Sequence, residues 1–122
     1  MATGDITRTE MLAAGVLQQY LTDAAATLYT VPAGQRTVHM ELDFCNIGSV
    51  ELALVVYVVP NGEVAANNFV LIYSGLTYNA IQPSELRQYT FDRFLPAGTL
   101  IQGFSSTTGV VTFGGSVVLE EV

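Results

Sequence analysis

Leu28-Tyr29-Thr30-Val31-Pro32-Ala33-Gly34 closes one apolar run and opens the next, and its punctuation returns downstream as Leu95-Pro96-Ala97-Gly98-Thr99. Proline fixes φ and withholds a backbone donor, while a glycine two residues on takes the positive φ that a tight reversal demands. Val59-Pro60-Asn61-Gly62 uses the device a third time. Three Pro-x-Gly signals between valine-rich runs predict strands joined by β-turns.

The runs between these signals carry a period of two. Residues 37–46 alternate, with Val38, Met40, Leu42 and Phe44 on one face and Thr37, His39, Glu41 and Asp43 on the other, which predicts a strand with one wet face. Residues 52–59 differ, because Leu52, Leu54, Val56 and Val58 alternate with Ala53, Val55, Tyr57 and Val59 and leave both faces apolar. Such a strand is covered twice. In a sandwich the partner sheet covers only the inner face, so Val55, Tyr57 and Val59 are the candidate oligomer-interface residues. Further runs at 27–31, 69–73, 86–94, 100–105, 110–113 and 116–121 are separated by turn residues, the last two by Gly114-Gly115. About eight short strands in this pattern predict an all-β fold, a single antiparallel β-sandwich of jelly-roll type.

The N-terminal segment reads two ways. Thr7-Arg8-Thr9-Glu10 has the form of a helix capping box, with Met11, Leu12, Val16 and Tyr20 at roughly helical spacing, yet Gly15 interrupts the pattern. The expected organisation is an extended N-terminal arm over residues 1–15 and a sandwich domain over 16–122 that opens with a strand at 16–22. The arm has too few bulky groups for a core of its own, so Ile6, Arg8, Met11 and Leu12 are expected to bind a partner.

At 122 residues the chain fits one domain. It is 50% hydrophobic but only 12% charged, against roughly 25% in an ordinary soluble domain. There is no lysine, and the arginines are Arg8, Arg36, Arg87 and Arg93. A deficit of this size means either that Ser, Thr, Asn and Gln cover the exterior or that much of it is buried against other copies, and with the twice-covered strand it leads to the expectation of a homotrimer. The net charge of -7 repels phosphate backbones and anionic lipid, which argues against nucleic acid as a partner. The longest apolar run, residues 52–59, is far short of the roughly twenty residues of a membrane span, so no membrane partner is expected. No signal peptide is expected either, since no long apolar region follows the first residues.

Chemistry-bearing residues are sparse. His39, Glu41 and Asp43 share one strand face at about 7 Å spacing, but one histidine and the single Cys45 fall short of a zinc ligand set. A calcium ion would look to Asp43, Asn46 and loop carbonyls, yet no Asp-x-Asp-x-Asp-Gly loop is present. A triad would need His39 brought to Ser49 or Ser74 and to Asp43, without any Gly-x-Ser-x-Gly elbow to support it. Cys45 lies six residues from His39 on the same strand, about 20 Å away, and reads as packing. Gly114-Gly115 has no lysine nearby to make a phosphate loop. No catalytic residue, cofactor or metal is expected, and the chain reads as a non-enzyme.

In order along the chain, Leu28-Tyr29-Thr30-Val31-Pro32-Ala33-Gly34, Cys45-Asn46, Tyr57-Val58-Val59-Pro60, Leu95-Pro96-Ala97-Gly98 and a closing Gly-x-Val strand resemble the small β-sandwich structural proteins of tailed bacteriophages. The resemblance spans residues 27–121. It implies a virion protein, a capsid decoration or cement subunit that binds major capsid protein on the outer shell. The alternative it implies is a tail, baseplate or host-recognition module. One compact domain without a long repeat or coiled coil favours the capsid role, and the capsid surface as the location.

Overall fold

The computed structural model describes residues 7–12, 19–76 and 79–122. Among the described residues nine strands run in the order β1 Thr7–Leu12, β2 Gln19–Tyr20, β3 Ala26–Thr30, β4 Gln35–Asn46, β5 Leu54–Val59, β6 Val70–Ser74, β7 Leu86–Phe91, β8 Leu100–Ser105 and β9 Val111–Glu121. A single turn of 3-10 helix, Asn67–Phe69, precedes β6. One sheet has the order β1-β9-β4-β7, with β2 also on β9, and the other has the order β3-β8-β5-β6. All pairings are antiparallel. Successive strands cross repeatedly between the sheets, which is the two-sheet wrapping of a jelly roll. The all-β sandwich expected from the two-residue period is the fold observed.

The three Pro-x-Gly signals form one kind of turn. Gly34, Gly62 and Gly98 have φ of 74°, 85° and 85°, close to the value of about 80° at the third position of a type II turn. In each the proline carbonyl accepts from the residue three on, Gln35, Glu63 or Thr99. The turns also meet. Val31 donates to the Thr99 carbonyl and accepts from the Gly98 N–H, both at 3.0 Å, so the two Pro-Ala-Gly copies are bonded to each other. A Cβ on Gly98 would lie 2.7 Å from the Asn61 side chain, which brings the third turn to the same end of the sandwich.

Between the sheets lies a core that includes Met40, Leu42, Phe44, Leu54, Val56 and Ile101, all fully buried. Phe44 packs on Phe113 with ring centroids 5.3 Å apart and edge-on to Tyr89 at 6.2 Å. Met40, Leu42 and Phe44 face inward as their alternation predicts, but Val38 does not. A register shift between Thr37 and His39 places a bulge at Val38, so Thr37 turns inward in its stead. Its hydroxyl donates to the Arg93 carbonyl at 2.6 Å and accepts from the Leu95 N–H at 2.9 Å, which meets the cost of burying it.

Four other expectations are corrected. Gly114-Gly115 does not separate two strands, because β9 runs through both, with Gly115 opposite Leu42 at φ 131°. A Cβ there would fall 2.0 Å from the Glu41 carbonyl oxygen, so glycine serves close backbone approach. The run 52–59 is a strand only from Leu54, since Leu52 bridges instead to Ile81 and the Ala53 N–H is taken by Ser106 Oγ. The run 86–94 stops at Phe91, where the chain leaves the sheet. Within the segment expected to be an extended arm, Thr7–Leu12 forms β1 along β9, from Thr7 opposite Glu120 to Leu12 opposite Gly115. The expected boundary at residues 15 and 16 lies outside the described residues, as do residues 16–18 of the strand expected at 16–22, of which Gln19–Tyr20 forms β2.

Candidate assembly interface

Charge divides sharply between the sheets. β3, β5, β6 and β8 contain no Asp, Glu or Arg, whereas the other sheet holds Arg8, Glu10, Arg36, Glu41, Asp43, Arg87, Glu120 and Glu121. In the uncharged sheet Leu54, Val56, Ile72 and Ile101 point to the core, so alternation sends Val55, Tyr57, Leu100, Phe104 and Tyr73 to the outer face. Tyr57 stacks on Phe104 at 6.3 Å with an interplanar angle of 25°. Tyr73 is 61% exposed and Val70 37%. Toward β3 the face becomes polar but stays uncharged, with Gln102 Nε2 donating to Thr27 Oγ1 at 3.0 Å. An aromatic and aliphatic patch of this kind, rimmed by neutral polar groups, has the composition of an interaction surface.

The three residues expected at an oligomer interface are not equivalent on this face. Tyr57 is half-buried and part of the patch. Val59 is fully buried and Val55 is 6% exposed within a single chain, which corrects the expectation that they present surface to a neighbour. Val55 stands in register between Tyr73 and Phe104, and the two aromatic neighbours on the same face occupy the space around it. Of the expected arm residues, Ile6 lies outside the described residues. Arg8, Met11 and Leu12 sit in β1 opposite Leu119, Ser116 and Gly115, so their backbone is engaged by this chain's own sheet.

The polar face of β4 does not converge on a reaction centre. His39 Nδ1 lies 2.7 Å from Asp92 Oδ1, and Glu41 Oε1 accepts from Gln88 Nε2 at 3.1 Å. Among the described residues no three His, Cys, Asp or Glu side chains come together to hold a metal ion. Asn46, weighed as a calcium ligand, is fully buried and consumed internally. Its Nδ2 donates to the carbonyls of Val50 at 2.9 Å and Ile81 at 3.0 Å, and its Oδ1 accepts from the Gly48 N–H at 2.9 Å. Cys45 is a free, half-buried thiol, and the Ser74 hydroxyl accepts from Arg87 rather than facing His39.

Arg87 is a hub that the strand pattern does not announce. From β7 its Nη1 reaches Ser74 at the end of β6 at 3.0 Å and the Asn79 carbonyl at 2.7 Å, while Nη2 reaches the Ala80 carbonyl at 2.7 Å. Its Nε donates to Glu85 at 2.5 Å. That hydrogen bond, with a second from the Gln82 N–H, holds the Glu85 carboxyl below the usual range, and the Glu85 bond in turn raises Arg87. One end of the seam between the sheets is thereby latched. Phe104 also escaped the sequence reading, although the absence of charge from four separate runs was visible there.

No helix of the described residues is long and apolar enough to cross a membrane. No protein-family model matches the chain, and no curated protein matches it in sequence. Among solved structures, the chain is similar to the subunit described under "Bacillus endospore appendages form a novel family of disulfide-linked pili", with a TM-score of 0.54 and 10% identity over 100% of this chain and 95% of that one. It is also similar to the infectious bursal disease virus VP2 subviral particle, with a TM-score of 0.50 and 12% identity over 97% of this chain. The chain spans 33% of the length of that viral protein. At these identities the likeness is one of fold: a jelly-roll domain.

Proposed function

We propose that this chain is a structural subunit of a virion, a decoration protein that packs as a homotrimer on the outer shell and joins neighbouring copies of major capsid protein. The observation that carries the reading is the uncharged outer face of the β3-β8-β5-β6 sheet on a chain of net charge -7. Like-charged copies approach at least cost where neither brings a charge. A trimer presents three equivalent contacts to the shell, so interfaces that are weak singly hold well together. The pilus and capsid proteins that share the fold are both parts of multi-copy assemblies, which fits this reading.

Sedimentation of the full chain at micromolar concentration tests it. A species three times the chain mass is expected, and Tyr73→Asp or Phe104→Asp should reduce association at least tenfold while the circular dichroism of a β-sandwich persists. A wild-type chain that sediments only as monomer overturns self-association. Imaging of the particle that carries the protein tests the location: density on the shell supports the decoration role, and density at a tail tip replaces it with a tail module.

A further inference from the structure

Where β7 ends, residues 92–99 cross from one sheet to the other, and beneath this crossing lies a cleft of about 370 Å³. Its walls are apolar, formed by Val58 of β5, Leu71 of β6, Phe69 from the 3-10 turn and Leu95 from the crossing segment. Asn68, Arg93 and Thr99 supply the polar part of the lining, which contains no acid. The latch formed by Arg87 lies at the Ser74 end of β6, and the cleft lies at the Val70 end. The seam between the sheets is thus tied at one end and open at the other.

Arg93 stands apart from the other arginines whose side chains are described. Arg36 pairs with Glu120 and lies over the Phe94 ring, and Arg87 pairs with Glu85. Among the described residues no carboxylate reaches Arg93 within ion-pair distance, and its neighbour Asp92 is engaged by His39. We propose that this cleft binds a carboxylate carried on an aliphatic stem, the stem lying between Phe69, Leu71 and Leu95 and the carboxylate meeting the Arg93 guanidinium.

The physical terms select this class of ligand. A guanidinium matches a carboxylate with two parallel N–H···O bonds. A phosphate or other dianion would find one cation only, on a protein whose net charge already repels it. A neutral alkane would leave the guanidinium and Asn68 without new partners, and an organic cation would face Arg93. At roughly 30 Å³ for each water-sized group the cleft has room for about a dozen non-hydrogen atoms, and its volume falls within the 300–1,000 Å³ of ordinary ligand sites. Decanoate has that size.

Calorimetric titration of the full chain with decanoate below its micelle concentration is the test, with decanol and decyltrimethylammonium run in parallel. Saturable one-to-one binding of decanoate is expected, at least tenfold tighter than either analogue. Arg93→Gln should weaken it at least tenfold, and Asn68→Asp, a change at an exposed mouth residue, should weaken it severalfold. Methyl resonances of Val58, Leu71 and Leu95 should shift on titration while those of Val55 and Leu100 stay still. Equal affinity for decanol, indifference to Arg93→Gln, or shifts confined to the outer face would each overturn the assignment. Absence of saturable binding to a variant-free, folded chain would overturn it as well.

Discussion

The strands ATLYT, LVVYVV, VLIYS and LIQGFS make one sheet, and TRTEML, QY, QRTVHMELDFCN, LRQYTF and VTFGGSVVLEE make the other. Both turn an apolar face to one core, yet they solve the problem of the outer face differently. The second sheet covers its outside with His39, Glu41 and Gln88, side chains that bond to one another or to nearby loops and remain wet. The first carries tyrosine, phenylalanine and valine outward, with no charge to hold water against them. Hydrophobic burial explains the inner faces of both sheets, and the missing polar cover on the first is the feature on which the proposed partner surface rests.

The comparison breaks first at β9, which carries the charged sheet. Gly115 lets the backbones of β9 and β4 approach where any side chain would collide with the Glu41 carbonyl oxygen. Gly115→Val should therefore abolish folding, at a cost above about 4 kcal/mol, a size that marks a backbone clash rather than a lost contact. Soluble yield and far-ultraviolet circular dichroism report it. A variant that folds with an unchanged melting temperature would mean that the two strands separate easily, and that the charged sheet is the more pliable one.

Next in size is a charge placed within the uncharged sheet. Val59→Asp puts a carboxylate where no side-chain surface reaches water, and should cost about 3–4 kcal/mol and unfold much of the population at 37 °C. Tyr73→Asp lies on the same outer face but is mostly exposed, so it should leave the melting temperature within a few degrees of wild type. Thermal unfolding of the two variants side by side separates interface from core. If both unfold the chain, the outer face is structural and association must be sought elsewhere.

Asn46→Leu probes a loop junction at the end of the charged sheet. Leucine keeps the apolar volume but strands the Val50 carbonyl and the Gly48 N–H, and leaves the Ile81 carbonyl with the Leu52 N–H alone. A loss of about 2–3 kcal/mol is expected, read by denaturant unfolding with an unchanged slope. Asn46→Asp should recover part of it, because one carboxylate oxygen still accepts from Gly48.

Much of this architecture was legible because its signals are local. A period of two fixes which way Met40, Leu42 and Phe44 face, and Pro-x-Gly fixes where the chain turns. What escaped depends on pairing between distant residues. The bulge at Val38 exists because β9 imposes its register on β4, so Thr37 turns inward against its own alternation. Gly114-Gly115 reads as a turn in isolation and as a close approach only beside Glu41. The uncharged outer face was foreshadowed by the double apolar character of residues 52–59, although its exposed side chains are not all those of that run. Val55 stands between Tyr73 of β6 and Phe104 of β8, and Val59 stands opposite Leu100 of β8, pairings that no single run reveals, while the exposed Tyr73 comes from a different strand.

The smallest effect concerns the latch between the sheets, where Arg87 of the charged sheet meets Ser74 of the uncharged one. Glu85 has its pKa lowered in the folded chain, first by the Arg87 hydrogen bond and then by the Gln82 N–H. A carboxyl lowered on folding adds stability above its ordinary pKa, near 4.5, and that stability is lost as the pH falls through the lowered folded value. Arg87 stays protonated throughout this range, so it adds no titration of its own. Glu85→Gln should consequently melt slightly below wild type from pH 8 down to about 5, with a constant gap, and the gap should close on further acidification. Because Glu85 is partly exposed, the gap should be small and should shrink in salt. A gap that widens as the pH falls would mean that the protonated carboxyl serves the latch better than the ion, and would leave the Arg87 bonds to Ser74, Asn79 and Ala80 as the whole of the tie between the two sheets.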